Sequence, residues 1–159
     1  MLVVRIANQL YSRHLTASGV SGRWNSHGKM VIYTTESVAI ALLENMVRRQ
    51  GVGFSNLFET MVIEVPDDIA ISTISAAEMN AIDRGWRNPM TGQKICQPLG
   101  DEWYERGEAA VLKVPSAVVD GNNYVINITH RDFARINLIG ITPFEPDQRI
   151  EDILKNYKP

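Results

Sequence analysis

The chain has 159 residues, enough for one domain whose single core buries about 70% of the surface that the unfolded chain would expose. An apolar content of 45% is that of an ordinary globular protein and excludes intrinsic disorder and a collagen-like fibre. Sixteen Lys and Arg against eighteen Asp and Glu leave a net charge of −2, so a broad basic surface for a long polyanion is not expected, and any anionic ligand must be met by a few local arginines.

In chain order, Leu2 to Ile6 and Val31 to Thr34 read as short β-branched strands joined by a long loop of Ser, Gly, Asn and His. Val38 to Gln50 reads as a helix, with Thr34 or Thr35 as its cap, Glu36 in its first turn and Gly51 as its stop. At 100° per residue, Ser37, Ala41, Glu44 and Arg48 form one narrow stripe; Val38, Leu42, Leu43, Met46 and Val47 cover much of the rest, which predicts a mostly buried helix. Met61 to Val65 and Ile69 to Ile74 read as strands and Ser75 to Ile82 as a helix. Gly85 to Gly100, with Trp86, Pro89, Gly92 and Pro98, reads as a structured loop ahead of a helix-like Asp101 to Arg106. Ala109 to Val114, Asn123 to Asn127 and Ala134 to Ile141 are strand-like. Strands in runs, rather than in alternation with helices, favour a single α+β domain over residues 1–159 with a compact mixed sheet. The longest unbroken apolar run is Val38 to Leu43, Met1 to Ile6 carries no basic leader, and Cys96 is the lone cysteine. A cytoplasmic chain with no membrane span, no disulfide and no metal site is therefore expected.

The densest chemistry lies in Ser21-Gly22-Arg23-Trp24-Asn25-Ser26-His27-Gly28, a polar loop holding a guanidinium, an indole and an amide between glycines. Such a loop can hold a phosphate or carboxylate through the planar Arg fork; equally, Trp24 can plug the core while Arg23 pairs with an acid. Tyr33 can offer its face to a flat ring or simply sit amphipathically at a sheet edge. Glu44, in the middle of an apolar helix, is costly to desolvate without a partner, and Arg48, four residues on, is the ordinary candidate. Ser116 follows an apolar strand and Pro115 but lacks a nucleophile elbow, so a turn cap is its default role. His14, His27 and His130 lack ligand spacing, and Trp86 and Trp103 read as core.

Taken in order, Gly22-Arg23-Trp24-Asn25-Ser26, Val31 to Ser37, Ala41-Leu42-Leu43-Glu44, Gly100-Asp101-Glu102-Trp103, Val114 to Val119 and Asn123 to Asn127 resemble the RES domain, the toxin half of bacterial Xre-RES type II toxin–antitoxin modules. The Arg, Glu and Ser of that family's name match Arg23, Glu44 and Ser116. Three blocks depart from its pattern: Ser21-Gly22 stands for a paired Gly, Val4-Arg5 for Tyr-Arg, and Asn127-Ile128-Thr129-His130-Arg131 for Asn-Pro-x-His-Pro. The resemblance implies a fold similar to ADP-ribosyltransferase toxins and degradation of cellular NAD, as substrate rather than resident cofactor, by hydrolysis or phosphorolysis of its nicotinamide–ribose bond. It implies catalytic roles for Arg23, Tyr33, Glu44 and Ser116 and substrate contacts for Arg5, Trp24 and Asn25. It further implies an Xre-type helix-turn-helix antitoxin as partner, which would make any DNA contact, and leaves room for an oligomer within that complex. A protein-modifying ADP-ribosyltransferase, an RNA-cleaving toxin using His27 or His130, and a non-catalytic binding module are the alternatives.

Overall fold

The computed structural model describes residues 1–49, 54 and 57–156. Its strands are β1 (Leu2–Asn8), β2 (Val31–Thr35), β3 (Phe58–Glu64), β4 (Ile71–Thr73), β5 (Val111–Pro115), β6 (Asn122–Asn127) and β7 (Asn137–Pro143). They form one sheet in the order β4-β5-β6-β2-β1-β3-β7, in which only the β4–β5 pair is parallel. Helices α1 (Gln9–Ser12), α2 (Val38–Arg49), α3 (Ala76–Ile82), α4 (Gly92–Arg106) and α5 (Gln148–Asn156) complete it. The expected α+β mixed-sheet class stands.

Alternation along the strands sends apolar side chains to both faces, so two layers of core form. On one face Val3, Ala7, Ile32, Met61, Ile63, Val111 and Ile126 pack together. The other face carries two separate clusters. Val31, Leu112, Val114 and Val125 pack with Met79 of α3, Cys96 and Trp103 of α4, and Trp24 and Trp86, as expected for Trp86 and Trp103. Ile6 packs with Ala41 of α2, Phe54 and Leu154 of α5.

The predicted loop from Gly85 to Gly100 is instead a 3-10 turn, Arg84–Arg87, followed by most of α4, which continues to Arg106. Pro98 inside α4 withholds one backbone donor, but both Pro98 and Lys94, whose carbonyl loses that bond, are exposed, so water can satisfy it. Gly100 serves close approach: a Cβ there would lie inside contact distance of the Trp24 carbonyl, so glycine lets α4 rest directly on the Arg23–Asn25 loop.

Helix α2 corrects the sequence in two respects. Its first turn is capped by Ser37, whose Oγ accepts from the Ile40 N–H, while Glu36 turns away to accept from the Asn122 backbone and side chain. It is amphipathic rather than mostly buried: Ile40 and Ala41 are inside, whereas Val38, Leu43 and Val47 are exposed. The predicted end at Gln50 and Gly51 lies outside the described residues. The predicted strand from Ala134 begins later, because Arg131–Arg135 forms a 3-10 turn.

Candidate active site

Strands β1 and β2 share a single register pair, Val4 with Thr35. Each is fully paired on its other side, β1 with β3 from Leu2 to Asn8 and β2 with β6 from Val31 to Thr35. The sheet is thus split down its middle, and a cleft of about 800 Å³ occupies the split. Val4, Arg5 and Ile6 all line it, although alternation puts Arg5 on the opposite face from its neighbours. Among the described residues its charged lining is Arg5, Arg23, Arg48 and Glu44, three guanidiniums to one carboxylate in a chain of net charge −2.

Glu44 is brought to the cleft by α2 and held there by Ser116, just past β5, and Asn123 of β6. Its Oε1 accepts from Ser116 Oγ at 2.8 Å and from Asn123 Nδ2 at 2.7 Å. Ser116 is itself fixed, its Oγ accepting from the backbone N–H groups of Val118 and Val119 at 3.1 and 3.3 Å. The serine is therefore both a turn cap and a donor to Glu44, and it is fully buried. With Oε1 doubly committed, Oε2 has no hydrogen-bond partner among the described residues. The expected ordinary pairing with Arg48 is not formed: no ion pair joins Glu44 and Arg48 among the described residues. Asn123 was not singled out from sequence, since its partner lies 79 residues away on another element. Its signal in the sequence is its place at the head of the Asn123 to Asn127 block that resembles the RES pattern.

The opposite wall is the Gly22–Ser26 loop with Tyr33. The Tyr33 hydroxyl donates to Asn25 Oδ1 at 2.7 Å and accepts from the Trp24 N–H at 2.9 Å. Burial is the main reason its phenol is pushed up to about 12, so it remains a neutral donor at any ordinary pH. Asn25 Nδ2 donates to the carbonyls of Val20 and Ser26, and Gln97 Nε2 of α4 ties down those of Gly22 and Asn25. Arg23 Nη1 donates to the Trp86 carbonyl at 2.6 Å rather than to an acid. Trp24 is 1% exposed and packs in the core. Arg5, Arg23, Tyr33 and Glu44 therefore converge on one cleft, whereas Trp24, Asn25 and Ser116 lie behind its surface and support it.

His27 and His130 do not come to the cleft, which leaves the acid–base pair of an RNA-cleaving reading unassembled there. His130 accepts from the Asp132 N–H through Nδ1 at 3.1 Å and lines a separate shallow cavity of about 590 Å³. Among the described residues no His, Cys, Asp and Glu side chains cluster as a metal site, and no helix is long and apolar enough to cross a membrane. Chemically, the cleft offers a fixed carboxylate oxygen for a developing positive charge, with guanidiniums nearby for an anion.

The chain is similar to a known family of domains and to several known proteins. The RES domain model matches residues 3–148. Toxin Res of Pseudomonas putida is 31% identical over 134 residues, covering 82% of this chain and 86% of that one. Toxin Res of Photorhabdus laumondii is 30% identical over 131 residues, covering 81% of each. The Prs ADP-ribosylating toxin of a Sphingobium species is 33% identical over 112 residues, 70% of this chain and 68% of that one. Among solved structures, the M. tuberculosis MbcT–MbcA toxin–antitoxin complex contains a chain of like fold, with a TM-score of 0.73 at 16% identity, covering 97% of this chain and 88% of that one.

Proposed function

The chain belongs to the RES-domain family, and from that premise we propose that it is the toxin of a toxin–antitoxin pair and acts by cleaving the nicotinamide–ribose bond of NAD. The observation that carries the proposal is Glu44, fixed through Oε1 by Ser116 and Asn123 with Oε2 uncommitted among the described residues, in a cleft that three arginines and Tyr33 also line.

In this reaction the bond between the ribose anomeric carbon and the pyridinium nitrogen breaks, and its electron pair goes to the nitrogen. Nicotinamide leaves neutral and needs no proton, while the ribose becomes oxocarbenium-like. The protein's task is therefore to place a negative charge beside that carbon. At about 4 Å and an effective dielectric of 20, Glu44 would stabilise it by roughly 4 kcal/mol, about three decades of rate. Tyr33 would present its ring to the nicotinamide, and Arg5 and Arg23 would bring positive charge to the phosphates. Water or inorganic phosphate then adds to the anomeric carbon and gives up a proton to solvent, yielding ADP-ribose or its 1-phosphate.

A second acceptor, a protein side chain, is favoured by one observation: a relative 33% identical over 112 residues is named an ADP-ribosylating toxin. The cleavage half of the chemistry is the same and the acceptor differs. An antitoxin that occludes the cleft is the partner this reading entails. The test is incubation of the purified chain, free of partner, with NAD carrying label in its ADP-ribose half, in buffers with and without phosphate. Release of nicotinamide with ADP-ribose or its 1-phosphate identifies water or phosphate as acceptor, and label on a protein band identifies transfer. Intact NAD after exposure of a folded sample overturns the proposal.

A further inference from the structure

The arginine expected to pair with Glu44 does something else. Arg48 lies four residues beyond Glu44 on α2, lines the same cleft, is exposed at its rim and has no ion pair among the described residues. Arg5 lines the cleft from β1, is half-buried, and its guanidinium likewise has no hydrogen-bonded acceptor among the described residues. The two approach closely enough for each to feel the other's charge: burial foremost, and then Arg48, lower the pKa of Arg5. The charge of Arg48 is also felt at Tyr33, where it acts against the rise in pKa that burial causes. Two like charges facing one opening, one of them partly desolvated and neither neutralised, raise the energy of the empty protein; an anion placed between them relieves it.

Arg23 differs. It is tethered to the Trp86 carbonyl at 2.6 Å and lies beside Cys96, so part of its fork is committed to fixing the loop. A linked pair of phosphates, with two negative charges a few ångströms apart, matches two uncommitted guanidiniums better than a single phosphate does.

We infer that Arg48, with Arg5, forms the seat for the diphosphate of a dinucleotide, and that Arg48 is the residue by which the cleft distinguishes a dinucleotide from smaller nicotinamide ribosides. The inference rests on the proposed NAD chemistry for its substrate, but the seat itself can be tested without turnover.

The experiment uses the full chain, wild type and with Arg48→Gln or Arg48→Lys; Arg48 is exposed on a helix surface, so both variants are expected to fold. Its readouts are steady-state kinetics on NAD and on nicotinamide riboside, and calorimetric titration with pyrophosphate. Losing one charged fork should raise the KM for NAD about 10- to 100-fold and change kcat less than about three-fold, with Arg48→Lys recovering part of the loss. Pyrophosphate should bind at least about ten-fold more weakly to Arg48→Gln, and the kcat/KM for the riboside should fall far less than that for NAD. Equal losses on NAD and riboside, or pyrophosphate bound equally well by wild type and variant, would overturn the seat. Should wild type fail to cleave NAD, the catalytic reading falls; pyrophosphate binding that is lost in Arg48→Gln would still uphold the seat, and absence of binding by wild type would remove it.

Discussion

The two walls of the cleft are built on opposite principles. On the loop wall the polar groups of Tyr33 and Asn25 bond to one another, to backbone or to Gln97, and Trp24 is sealed into the core. On the other wall, Glu44 has one oxygen fixed and one uncommitted, and Arg5 and Arg48 have no anionic partner among the described residues. A satisfied network gives rigidity and shape, whereas unneutralised charges cost stability and await a ligand. Changes on the first wall should therefore reduce stability together with activity, and changes to the uncommitted charges of the second, Glu44, Arg5 and Arg48, should reduce activity with little loss of stability.

The largest expected effect on stability is at the support of the loop wall. Gly100→Ala would drive a methyl group into the Trp24 carbonyl, a backbone group that cannot swing aside, and should destabilise the protein by about 3 kcal/mol, read as a lower urea midpoint. An unchanged midpoint would mean that α4 and the loop can separate without cost. Next come the donors that hold Glu44. Ser116→Ala and Asn123→Ala should each lower kcat for NAD by about 10- to 100-fold, the worth of one hydrogen bond to a charged group, and leave KM little changed. Because both bind the same oxygen, the double variant should lose less than the product of the two, which a double-mutant cycle would detect.

Tyr33→Phe should cost about 2 kcal/mol, since it leaves the Trp24 N–H and the Asn25 oxygen without their partner. The same residue makes the loop wall sensitive to alkali. Its phenol ionises near 10.0 in the unfolded chain but only at about 12 in the fold, so the unfolded state sheds its proton first. That contribution is intact below pH 10 and is lost as pH rises toward 12, of order 2 kcal/mol in all. Denaturation midpoints across this range should fall more steeply for wild type than for Tyr33→Phe; parallel curves would contradict the assignment. Smallest of all, Arg106→Ala breaks only exposed pairs with Glu102 and Glu108 and should shift stability by less than about 0.5 kcal/mol.

How much of this could be read in the sequence follows from how local each signal is. Helix α2 was legible because an apolar run without Gly or Pro needs nothing beyond itself, and Glu44 stood out against it. Most strands were legible from β-branched runs for the same reason. Helix α4 was not, because Gly92, Pro98 and Gly100 suggest a loop until the contacts are known: the glycines admit neighbouring backbone, and the proline sits on the solvent side. Helix α5 was missed although Ile150 and Leu154 have helical spacing, since its anchor, Glu151 accepting from the Phe54 N–H, spans 97 residues. In the cleft, the residue types Arg23, Tyr33 and Glu44 were visible, but which of the supporting residues face a ligand and which face the core was not. Trp24 and Asn25 look the same in a sequence whichever way they turn, and Asn123 and Arg48 acquire their neighbours only when distant elements fold together around the cleft.

The most direct measurement of the central claim is nicotinamide release from NAD by wild type and Glu44→Gln, side by side, each sample checked by thermal melting. Wild type should release nicotinamide, Glu44→Gln should be slower by about three decades, and the two should melt at closely similar temperatures. Release at the same rate in both, or loss of activity that merely tracks unfolding of the variant, would contradict that claim.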